Sequence, residues 1–124
     1  MERVITFLLT QKPETAVPFY RDVLGLDFKR DDGFALVFDM KGIMLRIAKV
    51  PQFTPAQATV LGWECTDLHA DVARLGQAGV VFERYPNMGQ DELGIATFPG
   101  GDLVAWFKDP DGNLLSLSQH VAHN

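Results

Sequence analysis

The sequence predicts an α+β fold built from two paired βαβββ units, and three observations predict it. The order strand, helix, three strands occurs twice, and landmarks of the first copy return in the second. Gly25 and Phe28 recur as Gly79 and Phe82, each 54 residues on, and GIMLRIAK (42–49) lies over GNLLSLSQ (112–119). The length of 124 residues suits one domain, able to bury roughly two-thirds of its unfolded surface. A repeat of two is too short for a solenoid, so the units are expected to pair in a single domain with the helices covering the outer sheet faces. The expected boundaries are unit one at 1–50, a connector at 51–58 and unit two at 59–124.

RVITFLLT (3–10) is rich in β-formers and is followed by Pro13, which predicts a strand and then a helix entry. The helix is expected from about residue 14 to Leu24, with Ala16, Val17, Phe19, Tyr20, Val23 and Leu24 on one stripe and Gly25 as its stop. Pro18 is compatible with that helix only near the first turn, where a missing N–H is harmless. Strands LDFKR, FALVFD and IMLRIAKV complete the first unit. PQFTPAQA (51–58) has no apolar period and reads as the connector. The second unit runs TVLGWECT, an N-cap at Asp67, helix LHADVARLGQAG, VVFERY, the polar loop PNMGQDELG, and strands IATFP, LVAWFK and NLLSLSQH.

Asp109-Pro110-Asp111-Gly112 fits a type I turn with Gly112 left-handed, which places Asp109 opposite Asn113. Counting back pairs Trp106 with Ser116, Phe107 with Leu115, Ala105 with Leu117 and Val104 with Ser118. One face is then wholly apolar and suits the helices, and the other carries Trp106, Ser116 and Ser118. The same register applied to the Asp39–Gly42 turn pairs Leu36 with Arg46 and Phe38 with Met44. It makes Arg46 the counterpart of Ser116. The first strands are expected to contribute Ile5, Phe7 and Leu9, and Val60, Gly62 and Glu64, to the same faces.

Eleven Lys and Arg scattered among sixteen acids give a net charge of -5, which argues against a nucleic-acid partner. No apolar run approaches the roughly 20 residues of a membrane span, so no membrane partner is expected. A lone cysteine, Cys65, excludes an intramolecular disulfide, and without a leader-like segment a cytoplasmic location is expected. Cys65 is expected to pack towards the helix. His69, His120 and His123 are expected to be solvated or near a cap, His120 with Glu64 being the weaker, mixed-site alternative. PGGD (99–102) lacks the Lys-Ser/Thr of a phosphate loop, no Gly-x-Ser-x-Gly elbow occurs, and no cofactor is expected.

AVPFYRDVLGLDF (16–28) and WFKDPDGNLLSLSQ (106–119) resemble the vicinal oxygen chelate superfamily, the glyoxalase, bleomycin-resistance and extradiol dioxygenase group. The resemblance covers nearly the whole chain. It implies a curved mixed sheet around a cavity, helices outside, and a homodimer. Metal enzymes of that family place His, Glu or Gln at one position in the first and last strand of each unit. Transferred here, these positions fall on Ile5, on Val60 or Leu61, on Arg46 and on Ser116. None is a normal ligand of a divalent ion, so no metal site is expected.

The expected cavity residues are Phe7, Leu36, Phe38, Arg46, Glu64, Trp106, Ser116 and Ser118. Arg46 on an inward face needs a partner, either Glu64 or a carboxylate or phosphate on a ligand. The resemblance thus implies a small-molecule-binding protein whose ligand is apolar or aromatic, and anionic where Arg46 anchors it. A glyoxalase-like or dioxygenase-like enzyme acting as lyase, isomerase or oxygenase is the alternative, and a ligand-free structural dimer the third.

Overall fold

Strand β1 (Ile5–Thr10) leads through Lys12 into helix α1 (Pro13–Pro18), which continues as a π-helical turn over Phe19–Val23. Three strands follow: β2 (Asp27–Asp31), β3 (Ala35–Met40) and β4 (Ile43–Lys49). The second series is β5 (Leu61–Glu64), α2 (Leu68–Gln77), β6 (Ala96–Thr97), β7 (Leu103–Lys108) and β8 (Leu114–Gln119). The computed structural model describes residues 1–122; His123 lies outside the described residues. Each series makes one four-stranded mixed sheet, ordered β1-β4-β3-β2 and β5-β8-β7-β6, with its first and last strands parallel. No helix of the described residues is long and apolar enough to cross a membrane.

The chain divides into two compact units, residues 1–55 with 109–113, and 56–108 with 114–124. The turn 109–113, expected in the second unit, therefore belongs to the first. Its Asp109 carboxylate is the reason. It accepts from the Tyr20 hydroxyl at 2.6 Å, the Asn113 side-chain amide at 2.8 Å and the backbone N–H of Asp111 and Asn113 at 2.9 Å. Four donors offset the desolvation of a carboxylate only 6% exposed. Burial, then Asp109, raises Tyr20 far above the ordinary phenol range, so its proton stays in that bond. Asp111 accepts from the Thr10 hydroxyl and from the Gln11 backbone N–H, and Asn113 donates to the Leu9 carbonyl.

The helix starts at Pro13, close to the expected residue 14, so Pro18 is its sixth residue, beyond the first turn, and withholds a ladder donor. The chain answers by widening. Leu24 N–H reaches the Phe19 carbonyl, five residues back, in a π turn. Ala16 and Tyr20 remain fully buried on the sheet. Helix α2 is regular, capped by Asp67 Oδ1 on Ala70 N–H at 3.1 Å, and buries Leu68, Val72 and Leu75 at helical spacing.

The second hairpin has the counted register, Trp106 opposite Ser116 and Phe107 opposite Leu115. The first does not. Arg46 pairs with Val37 rather than Leu36, and Phe38 pairs with Leu45 rather than Met44. The turns explain the slip. Lys41 (φ 52) and Gly42 (φ 95) are both left-handed, making a two-residue loop between Met40 and Ile43. Proline cannot take that conformation, so Asp109-Pro110-Asp111-Gly112 keeps one residue more, with Gly112 at φ 90.

VVFERY, read as a strand, meets the backbone of β7 through a bridge from Phe82 to Phe107 and a bond from Glu83 N–H to the Trp106 carbonyl. The chain then leaves the edge of β7 and returns as β6 beside Val104 and Leu103. Gln90 organises the excursion. Its Nε2 donates to the Glu83 and Gly94 carbonyls at 2.8 Å, and its Oε1 accepts from Tyr85 N–H at 2.7 Å.

Candidate functional site

Each sheet has one face turned to its helix and one open face, and register assigns every strand residue to a face. In the first unit Leu36, Phe38, Leu45 and Ile47 lie on the helix side, fully buried with Tyr20. Phe38 packs its ring, tilted by 53°, against Tyr20 and Phe28 at 5.8 and 5.2 Å. Leu36 and Phe38 are thus corrected from open-face residues to core, although Phe38 borders the cleft described below from its buried position. The one-residue slip puts Val37 where Leu36 was expected. The open face then carries Ile5, Phe7 and Leu9 of β1 beside Met44, Arg46 and Ala48 of β4.

Arg46 has a partner within its own unit that was not expected. Its Nη2 donates to Asp32 Oδ2 at 2.8 Å, both side chains being about one-quarter exposed. Asp32 is a good anion there. The Phe34 and Ala35 N–H groups, then the Arg46 guanidinium, pull its carboxyl down to about 2. Only the short Asp-Asp-Gly turn ahead of β3 signals this partner in the sequence, and nothing in the strand pattern does.

At one end of this face is a cleft of about 320 Å³. Ile5, Val37 and Met44 give it an apolar floor, and Arg3, Lys29, Arg30 and Asp39 charge its lining. Lys29 is held by Asp27 at 2.7 Å. The bulge at Lys29 in β2 brings Arg30 into register with Val37, on the cleft side. A counted register hides this, because a bulge leaves no periodicity in the sequence.

In the second unit Glu64, Trp106, Ser116 and Ser118 share the open face as expected, with Gly62 level with Ser116 and Glu64 level with Ser118. Gly62 is a close approach: a Cβ there would lie 2.5 Å from Ser116 Oγ. The Trp106 ring stands between Tyr85, edge-on at 5.4 Å, and Phe98 at 6.3 Å. Tyr85 ends VVFERY and Phe98 lies in IATFP, both of which the sequence reads as strands. Burial, then the Glu83 carboxylate, raises the Tyr85 hydroxyl.

His120 is exposed, as expected of a solvated residue, but it has partners that were not expected. It bonds Ser118 Oγ at 2.8 Å and Asp102 Oδ2 at 3.0 Å. Ser118-x-His120 at a strand end, two residues apart and so on one side, was the available signal. His69 is more than half exposed, 3.8 Å from Asp91. Cys65 packs towards α2, where burial, then Asp71, pushes its thiol up to about 11; it is a thiol at neutral pH and a poor nucleophile.

The four positions carried over from the family's metal enzymes do not fit a divalent ion. Phe7 lies level with Arg46 and Gly62 with Ser116, which makes Val60 rather than Leu61 the counterpart of Ile5. Ile5 and Val60 have no donor atom, Arg46 is a cation bound to Asp32, and Ser116 offers a neutral hydroxyl. Among the described residues no group of three or more His, Cys, Asp or Glu is placed to hold a metal ion.

Two βαβββ units with this element order define a glyoxalase-type fold. The chain belongs to the Glyoxalase/Bleomycin resistance protein/Dioxygenase superfamily, whose family model matches residues 4–117. Among solved structures it is similar to TnmS3, an antibiotic binding protein from Streptomyces sp. CB03234, at 26% identity over 98% of this chain and 97% of that one, TM-score 0.70. It is also similar in fold to lactoylglutathione lyase from Agrobacterium tumefaciens, at 18% identity over 96% and 94% of the two chains, TM-score 0.72. A superfamily member from Sphaerobacter thermophilus gives TM-score 0.75 at 18% identity, over 97% and 98% of the two chains. No curated protein matches the chain.

Proposed function

We propose that the protein binds a small apolar or aromatic molecule carrying an anionic group, on the open face of its first sheet. The observation that carries this reading is the 320 Å³ cleft of the first unit, with its floor of Ile5, Val37 and Met44 beside Arg3 and Arg30. Apolar walls with a few charged groups are the usual make-up of a ligand site, and the volume is that of a small one. Arg3 and Arg30 take the anchoring role first assigned to Arg46, which Asp32 occupies. Phe7, on the same face and 62% exposed, extends the apolar surface. Trp106, Ser116, Ser118 and Glu64 form a second polar and aromatic surface on the other unit's open face. The likeness to an antibiotic binding protein supports binding over turnover. A homodimer in the cytoplasm completes the reading.

The test uses 8-anilinonaphthalene-1-sulfonate, an apolar aromatic anion, with native mass spectrometry to read stoichiometry and assembly. The expected result is one probe per chain on a dimer, with affinity reduced about tenfold or more by Arg3→Met with Arg30→Met, the loss of roughly 1.4 kcal/mol or more. Equal affinity in wild type and double variant would overturn the cleft as the site, and a monomer would overturn the assembly.

A further inference from the structure

Ligand binding in the first unit leaves unused a hydrogen-bonded series in the second. Asp102 Oδ2 lies 3.0 Å from His120 Nδ1, and His120 Nε2 lies 2.8 Å from Ser118 Oγ. A carboxylate only accepts, so Nδ1 carries the proton of the neutral ring and Nε2 turns its lone pair to the serine hydroxyl. The other Asp102 oxygen accepts from Val121 N–H at 3.0 Å, which fixes the carboxylate. His120 is 42% exposed, Asp102 23%, and Ser118 is half-buried, so the series is reachable from solvent through the imidazole and the serine yet held from behind by Asp102. This order of carboxylate, imidazole and hydroxyl is the one that converts a weak serine nucleophile into an active one.

We propose that Ser118 is a nucleophile for small neutral aryl esters, with His120 as its general base and Asp102 as the positioning residue. The aryl preference follows from Trp106, flanked by Tyr85 and Phe98 on the face that Ser118 shares. Neutrality follows from Glu64, level with Ser118 on β5, which repels an anionic substrate. In the first step Ser118 Oγ attacks the ester carbonyl carbon as its proton passes to His120 Nε2. The tetrahedral adduct collapses, the bond to the aryl oxygen breaks, and the departing phenol takes the proton from His120. Water, deprotonated by His120, then attacks the acyl-serine, releases the carboxylic acid and restores the Ser118 hydroxyl.

The experiment treats the full chain with diisopropyl fluorophosphate and follows p-nitrophenyl acetate hydrolysis in parallel. One adduct per chain, mapped by peptide mass to Ser118 and absent from Ser118→Ala, is expected. Removing the base with His120→Gln slows both reactions about a hundredfold or more, the usual contribution of general-base catalysis. Asp102→Asn slows them as well, and Asp102→Glu regains part of the rate, which a purely structural role of Asp102 would not produce. Circular dichroism and melting establish that each variant folds, and His120→Gln carries the test if Ser118→Ala does not. No adduct, an adduct elsewhere, or an unchanged rate in folded His120→Gln would overturn the proposal, and none of these outcomes bears on the cleft of the first unit.

Discussion

The two hairpins that close the two units look alike in sequence and differ by one residue in their turns. Asp39-Met40-Lys41-Gly42 bends over two left-handed residues, whereas Asp109-Pro110-Asp111-Gly112 needs three residues between its paired ends. A period-two structure turns that single residue into an exchange of faces. Leu36 and Phe38 therefore go to the core and Val37 to the open face, while Trp106 stays on the open face of its own sheet. The apolar pattern could not arbitrate, since Ala35-Leu36-Val37-Phe38 is buried on both sides. Where both faces are apolar, turn chemistry sets the register.

The strongest way to break this contrast is to write one turn into the other. Met40→Pro with Lys41→Asp recreates the second turn in the first hairpin and asks for a register in which the Leu36, Phe38, Leu45 and Ile47 rows no longer coincide. A loss above about 4 kcal/mol is expected from urea unfolding. A loss under about 1 kcal/mol would mean that packing, not the turn, fixes the register.

Corresponding helix positions sharpen it next. Tyr20 is buried and donates to Asp109, whereas Arg74, 54 residues on, is exposed beside Asp71 at 3.4 Å. Tyr20→Phe is expected to cost about 2 kcal/mol, the value of a buried bond to a charged acceptor. Arg74→Ala should change stability by no more than roughly 0.5 kcal/mol. Equal effects would contradict the assignment of the 109–113 turn to the first unit.

Gly62 beside Ser116 contrasts with Phe7 beside Arg46 at the same place in the two sheets. Gly62→Ala should cost about 1–2 kcal/mol by overpacking. Ser116→Ala in the same chain should restore more than half, the remainder reflecting the Ser116 carbonyl oxygen 3.3 Å from the new carbon. An additive double variant would rule the contact out. Lys41→Asn acts in the opposite direction, because Asn tolerates the left-handed region better than Lys; a gain of about 0.5–1 kcal/mol is expected.

The smallest effect is one of pH. Asp32 is lowered from an ordinary 3.8 to about 2, so its contribution is complete above pH 4 and disappears as pH falls through about 2. Thermal melts between pH 5 and pH 2 should steepen in that window and flatten in Asp32→Asn. An identical profile in both proteins would remove Asp32 from the acid response.

Local chemistry made much of this protein legible. Asp67 as a cap, Gly25 and Gly112 as left-handed stops, the repeated element order and the register of the second hairpin all depend on neighbouring residues and on proline and glycine geometry. The face shared by Glu64, Trp106, Ser116 and Ser118 followed from that register. Pro18 marked a disturbance in the first helix, but its remedy, a π turn, depends on Tyr20 finding the sheet.

The sequence by itself determined the family, the two βαβββ series and the open face of the second sheet, since each rests on spacing along the chain. Tertiary structure alone decided that Arg46 meets Asp32, that Arg30 reaches the cleft across a bulge, and that Asp102 closes on His120. These partners are 14 to 18 residues apart or displaced by an irregularity that leaves no period. Their meeting depends on where two strands end in space, and a one-dimensional pattern contains that only through turns whose conformation the pattern does not specify.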